Sequence, residues 1–342
     1  MLAAILVFGI LIFSHELGHY LAARWAGVTV LEFSIGMGPA IYRWEKEGTD
    51  YSLRLLPIGG YVRMEGEGGD PFGDSSPRPV ITHSFREVSV GKRAVIVSAG
   101  AAMNLLLAFL IMIGLVTSFR AVGSTTVARF EENSLSAQTG LEAGDQILEI
   151  NGRRIRITID TVYALYHSGG APCEVTVLRN GERQVLRKVS FPLDESGVPR
   201  LDFYFQRAPF HPGTILHEAL FRCITLTREI YSSLGEIFTG GLSIRDLSGP
   251  VGTTKVISEV SRQGLASLAN FVVFMSINLG IINLLPIPSL DGGRLFLLLI
   301  EKLRGRPLPA EVEGGVNLIG FALLMLLVML VTWQDIKTLL TR

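Results

Sequence analysis

His15-Glu16-Leu17-Gly18-His19 sets two imidazoles four residues apart with a carboxylate beside the first. On a helix this spacing leaves the rings about 6 Å apart in rise and on nearly the same face. Two such rings can share one zinc ion, and Glu16 can reach the adjacent water as general base. Zinc lowers the pKa of its water to about 7, so hydroxide is available at neutral pH. On a soluble helix a polar surface stretch would be the minor reading of the same residues. Here they follow an apolar run, Met1 to His15, that holds no Lys, Arg, Asp or Glu. Ionisable groups inside such a run are costly and mark function by default. The longer motif that adds Gly and a third His is absent, because positions 22 and 25 are Ala22 and Trp25.

A third ligand must therefore come from elsewhere. The run Asn283-Leu284-Leu285-Pro286-Ile287-Pro288-Ser289-Leu290-Asp291-Gly292-Gly293 offers Asp291 where prolines break an apolar stretch. Taken alone, this is a helix-ending Asp-Gly turn. Depth favours the ligand reading. His15 lies nine residues before Arg24, about 13 Å inside one membrane face at 1.5 Å per residue. Asp291 arrives in the same half from the other side, and two His plus one Asp make a reasonable catalytic zinc sphere.

The elements that carry these residues follow from composition. The chain has 342 residues, 48% hydrophobic and 18% charged, against about a quarter charged in soluble domains. The mean hydropathy of +0.40 points the same way. Lys plus Arg and Asp plus Glu balance at 31 each, so no basic field recruits nucleic acid. Two cysteines, Cys173 and Cys223, exclude a disulfide scaffold and a cysteine-built zinc site. The high apolar fraction excludes disorder.

Uncharged stretches predict four membrane spans, at residues 1–26, 94–119, 265–290 and 314–335. The first lacks a basic n-region and a small-residue cleavage site, so it reads as a permanent helix rather than a signal peptide. Arg24, Arg86, Lys92, Arg93, Lys302, Arg304 and Arg306 place residues 27–93 and 291–313 in the cytoplasm. Both termini and residues 120–264 then lie outside.

Between the first two spans, Leu31–Ile35, Ala40–Trp44, Tyr51–Leu56 and Tyr61–Met64 are strand-like, and they read as an ordinary meander or a membrane-dipping hairpin set. Gly66 to Pro79 reads as a loop. Outside the membrane, residues 120–207 predict a small α+β domain. Its strand Gln146–Ile150 follows Gly140-Leu141-Glu142-Ala143-Gly144-Asp145, a helix spans Thr158–His167, and a hairpin turns at Asn180-Gly181. The pattern G-L-x-x-G-D-x-I-x-x-I-N-G resembles a circularly permuted PDZ domain. A linker at residues 208–264 carries an amphipathic helix over Pro209–Gly240, and residues 336–342 form a tail. His83, His167, His211 and His217 show no ligand spacing and read as ordinary surface or core residues.

Taken together, the H-E-x-x-H of the first span, the PDZ-like insert and N-x-x-P-x-P-x-L-D-G resemble the site-2 proteases, and among them the RseP-type bacterial intramembrane zinc metalloproteases. Phe33-Ser34-Ile35-Gly36-Met37-Gly38-Pro39, Leu56 to Met64 and Ser248-Gly249-Pro250-Val251-Gly252 also resemble family segments. One departure is a single PDZ-like unit where the best-known RseP-type members carry two. The resemblance implies a polytopic α-helical protein of the bacterial cytoplasmic membrane, with four transmembrane helices, a membrane-associated β-hairpin region and an inserted PDZ-like domain. It implies Zn2+ on His15, His19 and Asp291, and Glu16 activating water. It also implies that Asn283, Pro286 and Pro288 hold the substrate backbone. The implied substrates are single-span membrane proteins such as anti-sigma factors or remnant signal peptides, met in the lipid bilayer. A membrane-anchored PDZ scaffold leaves Glu16 and Asp291 without a purpose. A metal-handling transporter would be expected to show repeats with paired broken helices, and only the third span is broken.

Overall fold

In a computed structural model, described for residues 2–67, 84–119, 122–239 and 249–340, the chain divides into two compact units. One comprises Met1–Leu110 with Ile230–Arg342, the other Ile111–Glu229. Along the chain run α1 (Leu2–Ala26), β1 (Val30–Lys46), β2 (Thr49–Met64), α2 (Val90–Phe119), β3 (Gly123–Phe130), α3 (Leu135–Gln138), β4 (Gln146–Ile150), β5 (Arg153–Arg154), α4 (Thr158–Tyr166), β6 (Cys173–Arg179), β7 (Glu182–Val189), β8 (Phe203–Arg207), α5 (Pro212–Thr239), α6 (Pro250–Arg262), α7 (Leu265–Leu284), α8 (Asp291–Arg304) and α9 (Ala310–Leu340).

Four of the helices, α1, α2, α7 and α9, are long and apolar enough to cross a bilayer. They fall on the four uncharged stretches, with one difference. The third ends at Leu284, and Leu285 turns to an extended conformation (φ −65°, ψ 143°). The residue before a proline is pushed out of helical geometry, and Pro286 follows. The segment 291–313, expected as a loop, contains α8. The linker at 208–264 likewise holds α6 as well as α5.

Backbones approach closely where side chains are small. A Cβ on Gly18 of α1 would lie 2.2 Å from the Ala99 carbonyl oxygen of α2, and one on Gly280 of α7 would lie 3.2 Å from that of Ala101. Ser14 and Ser276 donate to the carbonyls of Met103 (3.3 Å) and Asn104 (2.7 Å). Small residues and serine hydroxyls are the usual means of helix association in lipid, where no hydrophobic force separates helix from solvent. Arg93 of α2 and Glu301 of α8 add a buried bidentate pair at 3.0 and 2.5 Å.

The four strand-like runs are present as two bent strands. The run around Phe33–Ile35 pairs with Gly60–Val62 on one side and with Tyr51–Leu53 on the other, while Tyr42–Lys46 pairs with Thr49–Leu53. Glu32, buried on the central run, accepts from Arg54 (2.7 Å) and Ser52 (3.1 Å) of its neighbour and faces Arg63 (3.5 Å) of the opposite one. One carboxylate thereby ties three runs. Apolar side chains around it, including Met37, Ile41, Tyr42, Leu53, Leu55 and Leu56, are exposed, which suits a surface facing lipid.

The second unit is a six-stranded sheet in the order β7-β6-β4-β3-β8, with β5 paired to β4. Its core includes Val127, Leu141, Ile147, Ile150, Leu165, Val175 and Val177. The glycine-rich motif has a structural purpose here. Asp145 is buried and holds Arg179 of β6 through two 2.7 Å contacts and the Glu142 backbone N–H at 2.9 Å. Asn180 and Gly181 both take positive φ at the β6–β7 turn, as a type I′ hairpin requires. In α5, Thr225 donates to Asp160 of α4 and Glu229 meets His167 at 2.7 Å. His211 accepts from the Thr214 backbone N–H at the start of α5. Cys173 and Cys223 are both free, and His83 lies outside the described residues.

Candidate zinc site

His15 and His19 sit one turn apart on α1 with ring centroids 4.8 Å apart, edge to face. Their Nε2 atoms are 3.2 Å apart. Asp291 Oδ2 lies 3.3 Å from the first and 3.4 Å from the second. Among the described residues, these three form the one group of His, Cys, Asp or Glu able to hold a metal ion.

The triangle can be tested against zinc chemistry. Tetrahedral ligands at about 2.0–2.2 Å stand about 3.3–3.6 Å from one another. The observed edges are 3.2, 3.3 and 3.4 Å, two at the short end of that range and one just below it. Asp291 Oδ2 is buried and accepts no hydrogen bond, although both rings face it. A carboxylate oxygen left so is costly unless a cation completes it. The donor set, two imidazoles and one carboxylate, fits zinc with a fourth position open.

Helix α1 carries both imidazoles and α8 carries the carboxylate. The His19 ring is fixed by a 2.9 Å hydrogen bond from Nδ1 to the Ile96 carbonyl of α2, which leaves the Nε2 lone pair free for a metal. Gly100 makes room for both rings, since a Cβ there would stand 2.3 Å from His19 Nε2 and 2.7 Å from His15 Cε1. Asp291 opens α8. Gly292 and Gly293 let that helix start fold against the preceding loop, where Cβ atoms would meet the carbonyl oxygens of Leu285 and Ile287 at 2.1 and 2.3 Å. Ser289, at φ 74°, donates to the Asn317 carbonyl at 2.5 Å. Gly320 of α9 receives Pro288 at similarly close range.

Of the other residues singled out in the sequence, Glu16 is half-buried, and its Cγ would lie 3.0 Å from a Cβ on Gly60 of β2. Asn283 is half-buried on the last turn of α7, Pro286 is exposed and Pro288 half-buried. Two features escaped sequence reasoning. Arg294, one turn after Asp291, pairs with Glu67 just beyond β2. Asn104 of α2 is fully buried and touches His15. The signal for Asn104 was an amide side chain inside an uncharged span, where a polar group needs a reason.

Two histidines on a helix apolar enough to cross a membrane, met by an aspartate at the start of α8, fit a zinc metallopeptidase of the membrane-embedded kind. The chain belongs to peptidase family M50, whose model matches residues 3–327. It is 36% identical to a relative from Clostridium acetobutylicum, covering 97% of this chain and 96% of the other. It is 31% identical to the regulator of sigma-W protease RasP of Bacillus subtilis, covering 99% and 98%. It is 32% identical to the zinc metalloprotease RasP of Geobacillus kaustophilus, covering 97% and 96%. The protein is thus an intramembrane zinc metalloprotease with Zn2+ as its cofactor, and the scaffold and transporter alternatives are not favoured.

Proposed function

We propose that His15, His19 and Asp291 hold the zinc and that Glu16 is the general base for hydrolysis of a peptide bond in an unwound transmembrane segment. The observation that carries this reading is the 3.2–3.4 Å triangle of donor atoms, two on the apolar helix α1 and the third a buried carboxylate oxygen of α8 that accepts no hydrogen bond. Zinc, when bound, polarises the scissile carbonyl and lowers the pKa of water. Glu16 takes the proton from the attacking water and returns it to the departing amine. Asn283 and the Pro286–Pro288 break hold the substrate backbone near the ligands. A helical substrate hides its peptide bonds, so it must be extended first, and the edge run Gly60–Met64 offers free backbone groups for pairing. Gly60 carries no side chain to bar that approach to Glu16.

The substrates in this reading are single-span proteins of the bacterial cytoplasmic membrane, anti-sigma factors or remnant signal peptides among them. The name of the Bacillus subtilis relative, a regulator of sigma-W, supports the first class. Residues 120–207 form an extracytoplasmic PDZ-like domain that rejects bulky outer domains, with both termini on the same side. The test is purified protein with a panel of single-span substrates, with and without chelator. Glu16→Gln should abolish cleavage while one zinc per chain remains. Full proteolysis in that variant would remove Glu16 from the chemistry.

A further inference from the structure

Each ligating imidazole has a second ring nitrogen, and its partner decides which nitrogen is left for the metal. For His19 the partner is a backbone carbonyl, which can only accept, so Nδ1 carries the proton and Nε2 keeps its lone pair. His15 has no such carbonyl. Its Nδ1 faces the side-chain amide of Asn104, with Nδ2 3.4 Å away. The other end of that amide, Oδ1, is buried and has no hydrogen-bond partner. An orphaned acceptor of this kind is rare in native interiors and calls for an explanation.

The two ends of an amide have nearly the same shape and opposite hydrogen-bonding character. If Nδ2 donates to Nδ1, the neutral ring carries its proton on Nε2, and that nitrogen cannot bind a metal. If Oδ1 faces the ring instead, Nδ1–H is donated to it and the Nε2 lone pair points toward His19 and Asp291. A half-turn of the amide satisfies the orphaned atom and selects the ligating tautomer together. Asn104 has little freedom to do anything else. Its residue is fully buried, its backbone carbonyl accepts from Ser276 of α7 at 2.7 Å, and the preceding carbonyl accepts from Ser14 of α1.

We infer that Asn104 is a positioning residue for the zinc site, its Oδ1 accepting the Nδ1–H of His15 and so holding Nε2 as the metal donor. The inference rests on the reading of His15 as a ligand. It is tested on the full chain in detergent by zinc competition against a chelator of known affinity and by the visible spectrum of the Co2+-substituted protein. Asn104→Leu should weaken zinc by about 10–100-fold, the usual effect of losing such an outer partner, and should alter the Co2+ spectrum. The melting temperature of the metal-free protein checks folding. Asn104→Asp, which keeps an acceptor, should restore affinity to within a few-fold of the parent. Where Asn104→Leu does not fold, Asn104→Ala takes its place without added bulk. Parental zinc affinity in the acceptor-less variant, or an Asp variant no better than Leu, overturns the inference. His15→Ala separates the two levels. If it loses zinc while Asn104→Leu keeps it, only the role of Asn104 fails; if it keeps zinc, the ligand reading itself fails.

Discussion

Gly100→Ala is a one-methyl change on a helix that supplies no ligand, and it should disable the site. The added Cβ would stand 2.3 Å from His19 Nε2, where ordinary contact begins near 3.4 Å, so a ring must retreat by about 1 Å. Metal ligands tolerate about 0.2 Å. The His19 ring cannot yield cheaply, being buried and hydrogen-bonded to Ile96, and the neighbouring contact, 2.7 Å to His15 Cε1, closes the other direction. Misplacement of a reacting group by 1 Å can cost about 100-fold, and a similar loss of zinc affinity corresponds to about 2.7 kcal/mol. Propensity alone runs the other way, since Gly to Ala stabilises a helix interior by about 0.5–1 kcal/mol. Gly114→Ala on the same helix meets nothing within 4 Å and is the control. Zinc per chain after dialysis against chelator, read beside cleavage of a single-span substrate, decides the matter. A Gly100→Ala protein that holds zinc as tightly as the Gly114→Ala control would refute the steric reasoning.

Three further outcomes follow from other contacts. Asp291→Asn should lower zinc retention, because a neutral amide is a poorer partner for the cation; a simple helix-start residue would leave metal content unchanged. Burial pushes the Glu32 carboxyl up, yet hydrogen bonds from Arg54, Tyr61 and Ser52 outweigh it and hold the group below its ordinary 4.5. Its contribution to stability is therefore present above about pH 4.5 and lost as pH falls toward the lowered value; melting temperature against pH should show this slope, and Glu32→Gln should flatten it. Asp335 of α9 accepts from the backbone N–H groups of Gly249 (3.3 Å) and Gly252 (2.8 Å) at the start of α6. Asp335→Ala should cost about 1 kcal/mol, as loss of a helix cap does, with zinc content unaltered.

Much of the site is legible in the chain because its signals are local. The i, i+4 histidines need only a helix, and the spans need only uncharged runs. The hairpin at Asn180-Gly181 and the strand Gln146–Ile150 follow from turn chemistry and alternation. The missed parts depend on distant pairing. The four strand-like runs are visible, but that Phe33–Ile35 pairs on both sides is a tertiary fact. Helix α8 was hidden because Gly292 and Gly293 read as loop residues, whereas they serve a close backbone approach. Asn104 went unnoticed because a neutral amide does not interrupt an uncharged stretch.

The contacts of Gly18 with Ala99 and of Gly280 with Ala101 have a consequence for how accurately the metal ligands are placed. Residues two apart on a helix point to nearly opposite sides, so α2 is held between α1, which carries both histidines, and α7, which leads into Asp291. The two ligand-bearing segments are thus each registered against one rod, as two machine parts are gauged from a common datum. Of the 271 residues between His19 and Asp291, those outside α2 and α7 set no dimension at the triangle, so errors in them do not accumulate there. This leaves the sheet and the inserted unit free to vary in length and sequence, while α2 carries the tolerance of the whole centre.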